Sequence, residues 1–168
     1  ETGAKAGRLD VQLIFFRGFG ECQASRWVSD ARALAGLMTG IDCRGGHTQI
    51  SKVFAHARAE HNKKKINAVV YVGDAMEEDI DKLAQKAGEL GLLGCPMFLF
   101  QEGHDPVAQT AFKEFARLTK GAYARFNAGA AAELAALLRA VAAYASGGRA
   151  ALKLQQGGTA KLLLEQLS

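Results

Sequence analysis

The segment CRGGHTQI (residues 43–50) combines residue types that could hold a ligand. Gly45 and Gly46 allow a ligand to approach the backbone closely. His47 and Thr48 place an imidazole and a hydroxyl just before a helical pattern, and a helix N-terminus attracts anions. The segment therefore predicts a site for a metal ion or an anion. The structural alternative is a tight turn followed by a helix cap.

A carboxylate could meet this segment at the end of a buried strand. Asp74 follows the apolar run NAVVYVG (67–73) and opens the acidic stretch DAMEED, in which Glu77 adds a second charge. A hydroxyl from Thr48 and a carboxylate from Asp74 are hard oxygen ligands, which suit Mg²⁺ or Mn²⁺ better than zinc. The structural alternative is that Thr48 and Asp74 only cap helices.

The elements that must position these residues alternate along the chain. Apolar runs predict strands at 9–16, 22–28, 67–73, 95–100 and 121–126. Apolar residues at helical spacing predict helices at 31–38, 50–57, 80–90, 106–118 and 134–144. This order predicts an α/β fold with a doubly wound, mostly parallel sheet flanked by helices, Rossmann-like in outline. The short strand at 22–28 is expected as an antiparallel edge. Ligands of such sheets bind at the carboxyl ends of the strands.

The end of the chain is harder to interpret. Gly147 and Gly148 are expected to close the last long helix, so the pattern predicts one domain over residues 1–148. Residues 149–168 then form a tail, an added edge strand or a docking helix.

Composition excludes several classes of protein. The chain has 168 residues, 49% of them apolar and 23% charged, which suits one globular domain. Net charge is only +4, and the basic run at 63–65 is expected at a solvated helix C-terminus, so no specific nucleic-acid partner is predicted. Three cysteines without a CxxC pair indicate a reducing, cytoplasmic location. No apolar stretch is long enough to predict a membrane span.

Three motifs together resemble one known family. GGHTQI before an amphipathic helix, NAVVYVGDAMEED and GELGLLGCPMFLF are similar to segments of the von Willebrand factor A (VWA) domain, in particular a bacterial group of uncharacterised stand-alone proteins. The resemblance extends over roughly residues 9–146. It implies a doubly wound sheet and a metal-ion-dependent adhesion site. It also implies a non-enzymatic protein–protein interaction module.

The resemblance assigns site residues by position. In the family, the metal is held by an Asp-x-Ser/Thr-x-Ser loop after the first strand, a Thr in a second loop and an Asp in a third. Carried over, Thr48 is the second-loop ligand and Asp74 the third-loop acid, with bound Mg²⁺ or Mn²⁺. The two glycines, His47 and Glu77 would lie on the surrounding rim.

One family motif is absent from this sequence. No Asp-x-Ser/Thr-x-Ser occurs in it, and LDVQLIFF (9–16) resembles the family's second strand. The first strand, which lies mid-sheet in the family, therefore has no counterpart, and metal affinity is expected to be weak. We expect something else to fill that position. The candidates are an upstream segment, a strand exchanged with a second copy in a homodimer, or the C-terminal TAKLLLEQL.

An enzyme is the alternative function. A Mg²⁺-dependent, Rossmann-like hydrolase or phosphotransferase would use GGHT to hold a phosphate and Asp74 to hold the metal. The sequence contains no GxxxxGK[ST] motif and no GxGxxG after a strand. The binding module is therefore the favoured prediction.

Overall fold

The structure, a computed structural model, describes residues 9–17, 21–29, 48–155 and 157–167. Its strands are β1 (Val11–Arg17), β2 (Glu21–Val28), β3 (Val69–Gly73), β4 (Met97–Glu102) and β5 (Ala122–Phe126). Its helices are α1 (Ile50–Lys63), α2 (Ile80–Leu92), α3 (Pro106–Thr119), α4 (Ala131–Lys153) and α5 (Gly158–Gln166). The predicted α/β class is confirmed. The helix expected at 31–38 lies outside the described residues.

A parallel sheet with the order β3–β4–β5 forms the centre of the molecule. β4 pairs with both neighbours, and its residues from Met97 to Gln101 are buried. A nearly continuous apolar run such as MFLF is what a strand covered on both faces requires.

Helices cover both faces of this sheet. On one face α1, α2 and α3 pack together, and the Phe54 and Phe115 rings meet edge-on with their centroids 5.4 Å apart. On the other face α4 and α5 cover β4 and β5. The ring centroids of Phe98 and Tyr144 are 5.3 Å apart there. Among the helices of the described ranges, none is both long and apolar enough to cross a lipid bilayer.

The C-terminal residues belong to the second of these layers. Gly148 has φ 67° and ψ −159°, which is not a helical conformation, so α4 consists of two helical segments that meet at a kink there, and the predicted helix end at 147–148 is confirmed. Beyond the bend, Leu152 and Leu163 are fully buried against β4 and β5. Of the three alternatives for 149–168, the docking helix is the one observed. TAKLLLEQL therefore lies in α5, and the idea that it fills a strand position is wrong.

The N-terminal strands form a separate hairpin. β1 and β2 pair antiparallel from Val11↔Val28 to Arg17↔Glu21, which confirms the predicted antiparallel partner. No described strand joins this hairpin to β3, so the expected single sheet is replaced by two.

Contacts with α1 fix the direction of the hairpin. Asp10, just before β1, lies 3.9 Å from the Lys64 ammonium at the end of α1. Cys22 is paired with Phe16 at the far end of β1. Burial raises the pKa of the Cys22 thiol, and the charge of Lys52, near the start of α1, is close enough to lower it by a smaller amount. β1 therefore runs antiparallel to α1. β3 also runs antiparallel to α1, so β1 and β3 are parallel.

The two outer edges of the parallel sheet differ. At β5, the Gln166 side chain accepts a hydrogen bond from Tyr123 N–H at 2.7 Å and donates one to Tyr123 C=O at 2.8 Å, as a neighbouring strand would. At β3, Val69 N–H donates to Pro96 C=O, so by alternation the backbone groups of Val70 and Val72 point away from β4. No described strand receives them.

The packing of α2 on α3 yields a stability prediction. A Cβ on Gly91 would lie 2.1 Å from the Leu118 carbonyl oxygen, whereas one on Gly88 in the same helix has no atom within 4 Å. Gly91→Ala should therefore destabilise the fold by about 1–3 kcal/mol. Gly88→Ala should stabilise it by up to about 1 kcal/mol. Urea unfolding of both variants measures this, and equal effects would contradict the close contact.

Candidate functional site at the carboxyl end of β3

Thr48 contacts the loop that follows β3. Its backbone N–H donates to the Glu77 carboxylate at 3.0 Å, and its hydroxyl accepts a hydrogen bond from the Glu77 N–H at 3.3 Å. These reciprocal bonds join the segment before α1 to the loop after β3. The structure thus brings Thr48 and Glu77 together at the carboxyl end of β3, where the sequence predicted them.

Glu78 connects the same two segments by a different contact. Its carboxylate accepts from Ile50 N–H at 2.7 Å and from Ser51 N–H at 3.0 Å. These are first-turn amides of α1, whose N-cap residue Gln49 makes no side-chain capping bond. Glu78 therefore caps α1 from across the site, and its charge interacts favourably with the helix dipole.

The helix caps differ from those that the sequence suggested. α2 is capped by Asp79, whose carboxylate accepts from Asp81 N–H and Lys82 N–H. Because Glu78 and Asp79 are the caps, the structural alternative that Thr48 and Asp74 merely cap helices is wrong.

Tyr71 forms the buried floor of the site. A Cβ on Gly73 would lie 2.8 Å from Cε1 and 2.9 Å from the hydroxyl of Tyr71, so the ring leans over Gly73 and would have to shift if that residue carried a side chain. Burial raises the pKa of Tyr71, and the nearby carboxylates, led by Glu78, raise it further. The phenol therefore stays protonated, and its ring packs edge-on against Phe112 at 5.4 Å.

The surface of the site is acidic and open to solvent. The side chains of Asp74, Glu77 and Asp79 are exposed, whereas Met76 between them is buried and anchors the loop. We refer to Thr48, Asp74 and Glu77 as the rim. Gly45, Gly46 and His47, predicted beside it, lie outside the described residues.

The rim does not form a complete metal site in the described part of the chain. Within that part, no three His, Cys, Asp or Glu side chains are grouped closely enough to hold a metal ion. Thr48 and Asp74 offer one hydroxyl and one carboxylate, whereas Mg²⁺ prefers six oxygen ligands. Their role as metal ligands therefore stays a prediction.

The sequence analysis missed the roles of Glu78 and Tyr71. Glu78 stands directly before Asp79 at the start of α2, where acidic residues have a local reason to occur. Nothing along the chain indicates that its carboxylate reaches a helix that begins 28 residues earlier. Tyr71 has the ordinary signature of a core strand residue.

The described cysteines are poor candidates for nucleophiles. Cys95 is buried, and burial raises the pKa of its thiol to about 11. Cys22 is partly buried, which also raises its pKa. Both remain thiols near neutral pH, and thiols are weak nucleophiles.

Comparisons with family models and with curated proteins identify no relative. No family model matches this chain, and no curated protein matches it. The VWA resemblance therefore stays a prediction that rests on the three motifs.

The bridging cap at Glu78 yields the prediction for this site. Glu78→Ala should lower the free energy of unfolding by about 1–2 kcal/mol, because two α1 amides lose their acceptor. Glu165→Ala, the same change at an exposed position of α5, should shift it by less than about 0.5 kcal/mol. Thermal unfolding followed by circular dichroism measures both. Equal shifts would show that the cap contributes nothing.

Proposed function

We propose that this chain is a non-enzymatic protein–protein interaction module of VWA-like type, which binds an extended strand of a partner along the open side of β3. The observation that supports this most directly is the exposure of Val70 and Val72. The two residues are 36% and 42% exposed, and their backbone groups point away from β4. An unpaired, apolar strand edge is a ready template for strand addition.

The surroundings of this edge define the partner segment. β1 runs parallel to β3 with no described strand pairing the two, and α1 contacts both the hairpin and the core beside Tyr71. One helix is about 10 Å wide, which covers two strands about 4.8 Å apart. A strand beside β3 would be covered by α1 on one face and would contact the exposed valines on the other. The partner segment is therefore extended, apolar and parallel to β3.

The edge of the sheet at β5 supports β3 as the place where a partner strand binds. The Gln166 side chain is hydrogen-bonded to both the N–H and the C=O of Tyr123, and α5 packs along β5. Natural proteins commonly protect exposed edges in such ways. Because β5 is protected and no described strand pairs with the outer side of β3, strand addition is directed to β3.

The rim connects this edge to the metal prediction. Parallel strands end at the same side of a sheet, so whatever follows an added strand would arrive beside Thr48 and Asp74. That segment could supply the oxygen ligands that the described residues lack. The cytoplasmic location and bacterial origin expected from the sequence belong to the same proposal.

The hydrolase or phosphotransferase alternative has less support. Glu77 and Glu78 already accept backbone hydrogen bonds across the site, and Asp79 caps α2. Asp74 is then the rim carboxylate left to act as a base or metal ligand, and it is exposed to water. A general base needs a positioned partner, and no described residue pairs with Asp74.

Hydrogen exchange tests the open edge. We expect the amides of Val70 and Val72 to exchange rapidly in the chain alone, while the amide of Val69, which is bonded to Pro96, is protected. A soluble peptide with a Val- and Ile-rich centre and lysines at both ends should slow Val70 and Val72 about tenfold or more. The measurement is two-dimensional NMR after transfer into deuterated water.

Two matched variants control this experiment. Val72→Lys places a charge on the edge and should abolish protection by the peptide. Val107→Lys makes the same change at a 51% exposed position of α3 and should leave it intact. Slow exchange of Val70 and Val72 in the dilute chain would contradict the open edge. Protection that rises with the chain's own concentration would identify a second copy as the partner, as in the strand-exchanged homodimer.

Metal titration tests the rim. Calorimetric titration with Mn²⁺ or Mg²⁺ should give weak binding, with a dissociation constant on the order of 1 mM, because the described ligands are few. Asp74→Ala and Thr48→Ala should remove that binding, whereas Asp81→Ala, an exposed acid in the first turn of α2, should preserve it. Equal loss in all three variants would indicate only non-specific attraction to acidic residues.

A further inference from the structure

A cleft lies at the opposite edge of the sheet from the rim, between α3, β5 and α5. Its volume is about 600 Å³. That is within the roughly 300–1,000 Å³ range of small-molecule sites. The side chains and backbone that line it belong to Gln109, Lys113, Ala116, Arg117, Gly121, Tyr123, Ala124, Arg125, Leu162 and Gln166.

The secondary structure explains why these residues meet. Gln109, Lys113 and Arg117 are four residues apart in α3 and therefore share one flank of that helix. Tyr123 and Arg125 are two apart in β5 and therefore share one face of the strand. The flank of α3 and this face of β5 form two walls, and Leu162 of α5 closes the third.

The charge of the cleft has one sign. Lys113, Arg117 and Arg125 line it, and no acidic side chain does among the described residues. Arg117 is already paired with Glu114, to which it donates at 2.9 and 2.5 Å. Lys113 and Arg125 thus carry the positive charge available to a ligand.

The central wall of the cleft is held rigidly. The Tyr123 hydroxyl donates to Gln101 Oε1 at 2.6 Å, and the Gln101 amide in turn donates to the Asp105 carbonyl at 2.8 Å. The Tyr123 backbone is fixed by Gln166 on both its N–H and its C=O. Lys113 Nζ lies 5.5 Å from the centroid of the Tyr123 ring. The Lys113 ammonium and the Tyr123 ring are therefore positioned before a ligand binds, which lowers the entropic cost of binding.

Apolar surface lies next to the charges. Leu162 is 44% exposed although it faces the cleft, and Ala116 and Ala124 line its interior. A simple inorganic anion would leave this surface in water. A ligand with an apolar or aromatic body would cover it.

We propose that this cleft binds a small organic anion, with its phosphate or carboxylate between Arg125 and Lys113 and its apolar body against Tyr123 and Leu162. Guanidinium and ammonium groups favour both kinds of oxyanion. The site is separate from the open edge of β3, so the binding of such a ligand does not depend on the proposed partner.

NMR titration with four probes tests this proposal on the full chain. Phenyl phosphate and benzoate should shift the amide signals of Tyr123, Arg125 and Leu162, and the tighter of the two identifies the preferred oxyanion. Inorganic phosphate should bind about fivefold more weakly, because it cannot use the apolar wall. Benzyl alcohol, which has the ring but no charge, should produce no saturable shift. Equal affinity for phenyl phosphate and inorganic phosphate would overturn the proposal.

Variants separate the cleft from general electrostatic attraction. Arg125→Gln should weaken phenyl phosphate binding about tenfold or more, because a charged hydrogen bond is lost. Leu162→Ser should weaken phenyl phosphate but leave inorganic phosphate unchanged. Lys82→Gln, which removes the same charge from an exposed position on α2, should change neither. Equal effects of Arg125→Gln and Lys82→Gln would overturn the proposal, as would shifts that cluster away from β5.

Discussion

The complete enclosure of β4 is the constraint on which the rest of the structure depends. β4 is hydrogen-bonded to a parallel strand on each side and covered by helices on each face. A buried backbone needs all its polar groups paired, and a buried face needs apolar contacts. β4 meets both needs within the described chain. Its neighbours β3 and β5 are paired with β4 on their inner sides, and their outer backbone groups need other partners.

The outer edges of β3 and β5 differ in how they are covered, and both proposals follow from this difference. At β5, α5 packs along the sheet, and Gln166 takes the place of a neighbouring strand. This closure forms the third wall of the cationic cleft. At β3, the outward backbone groups of Val70 and Val72 meet no described strand, and the side chains are partly exposed. The protected edge thus offers a pocket, and the open edge offers a place for a strand.

The rim depends on contacts between segments far apart in the chain. Thr48 and Glu77 exchange two hydrogen bonds, and Glu78 caps α1 from the loop after β3. These bonds hold the N-terminus of α1 at the carboxyl end of β3. Because α1 also contacts the hairpin through Gln12 and Trp27, the same helix sets the position of β1 relative to β3.

The sequence by itself determined the local elements. Apolar spacing identified β3, β4 and α1, and Pro106 marked the first residue of α3, because these signals depend on residues a few positions apart. It also placed Thr48 and the loop after β3 at one edge, because parallel strands end together. Only the tertiary structure decided that Glu78 is the cap of α1, that the residues after Gly148 dock as a helix and that the described strands form two sheets. Those outcomes depend on which distant groups meet in space, and no local pattern encodes such pairings.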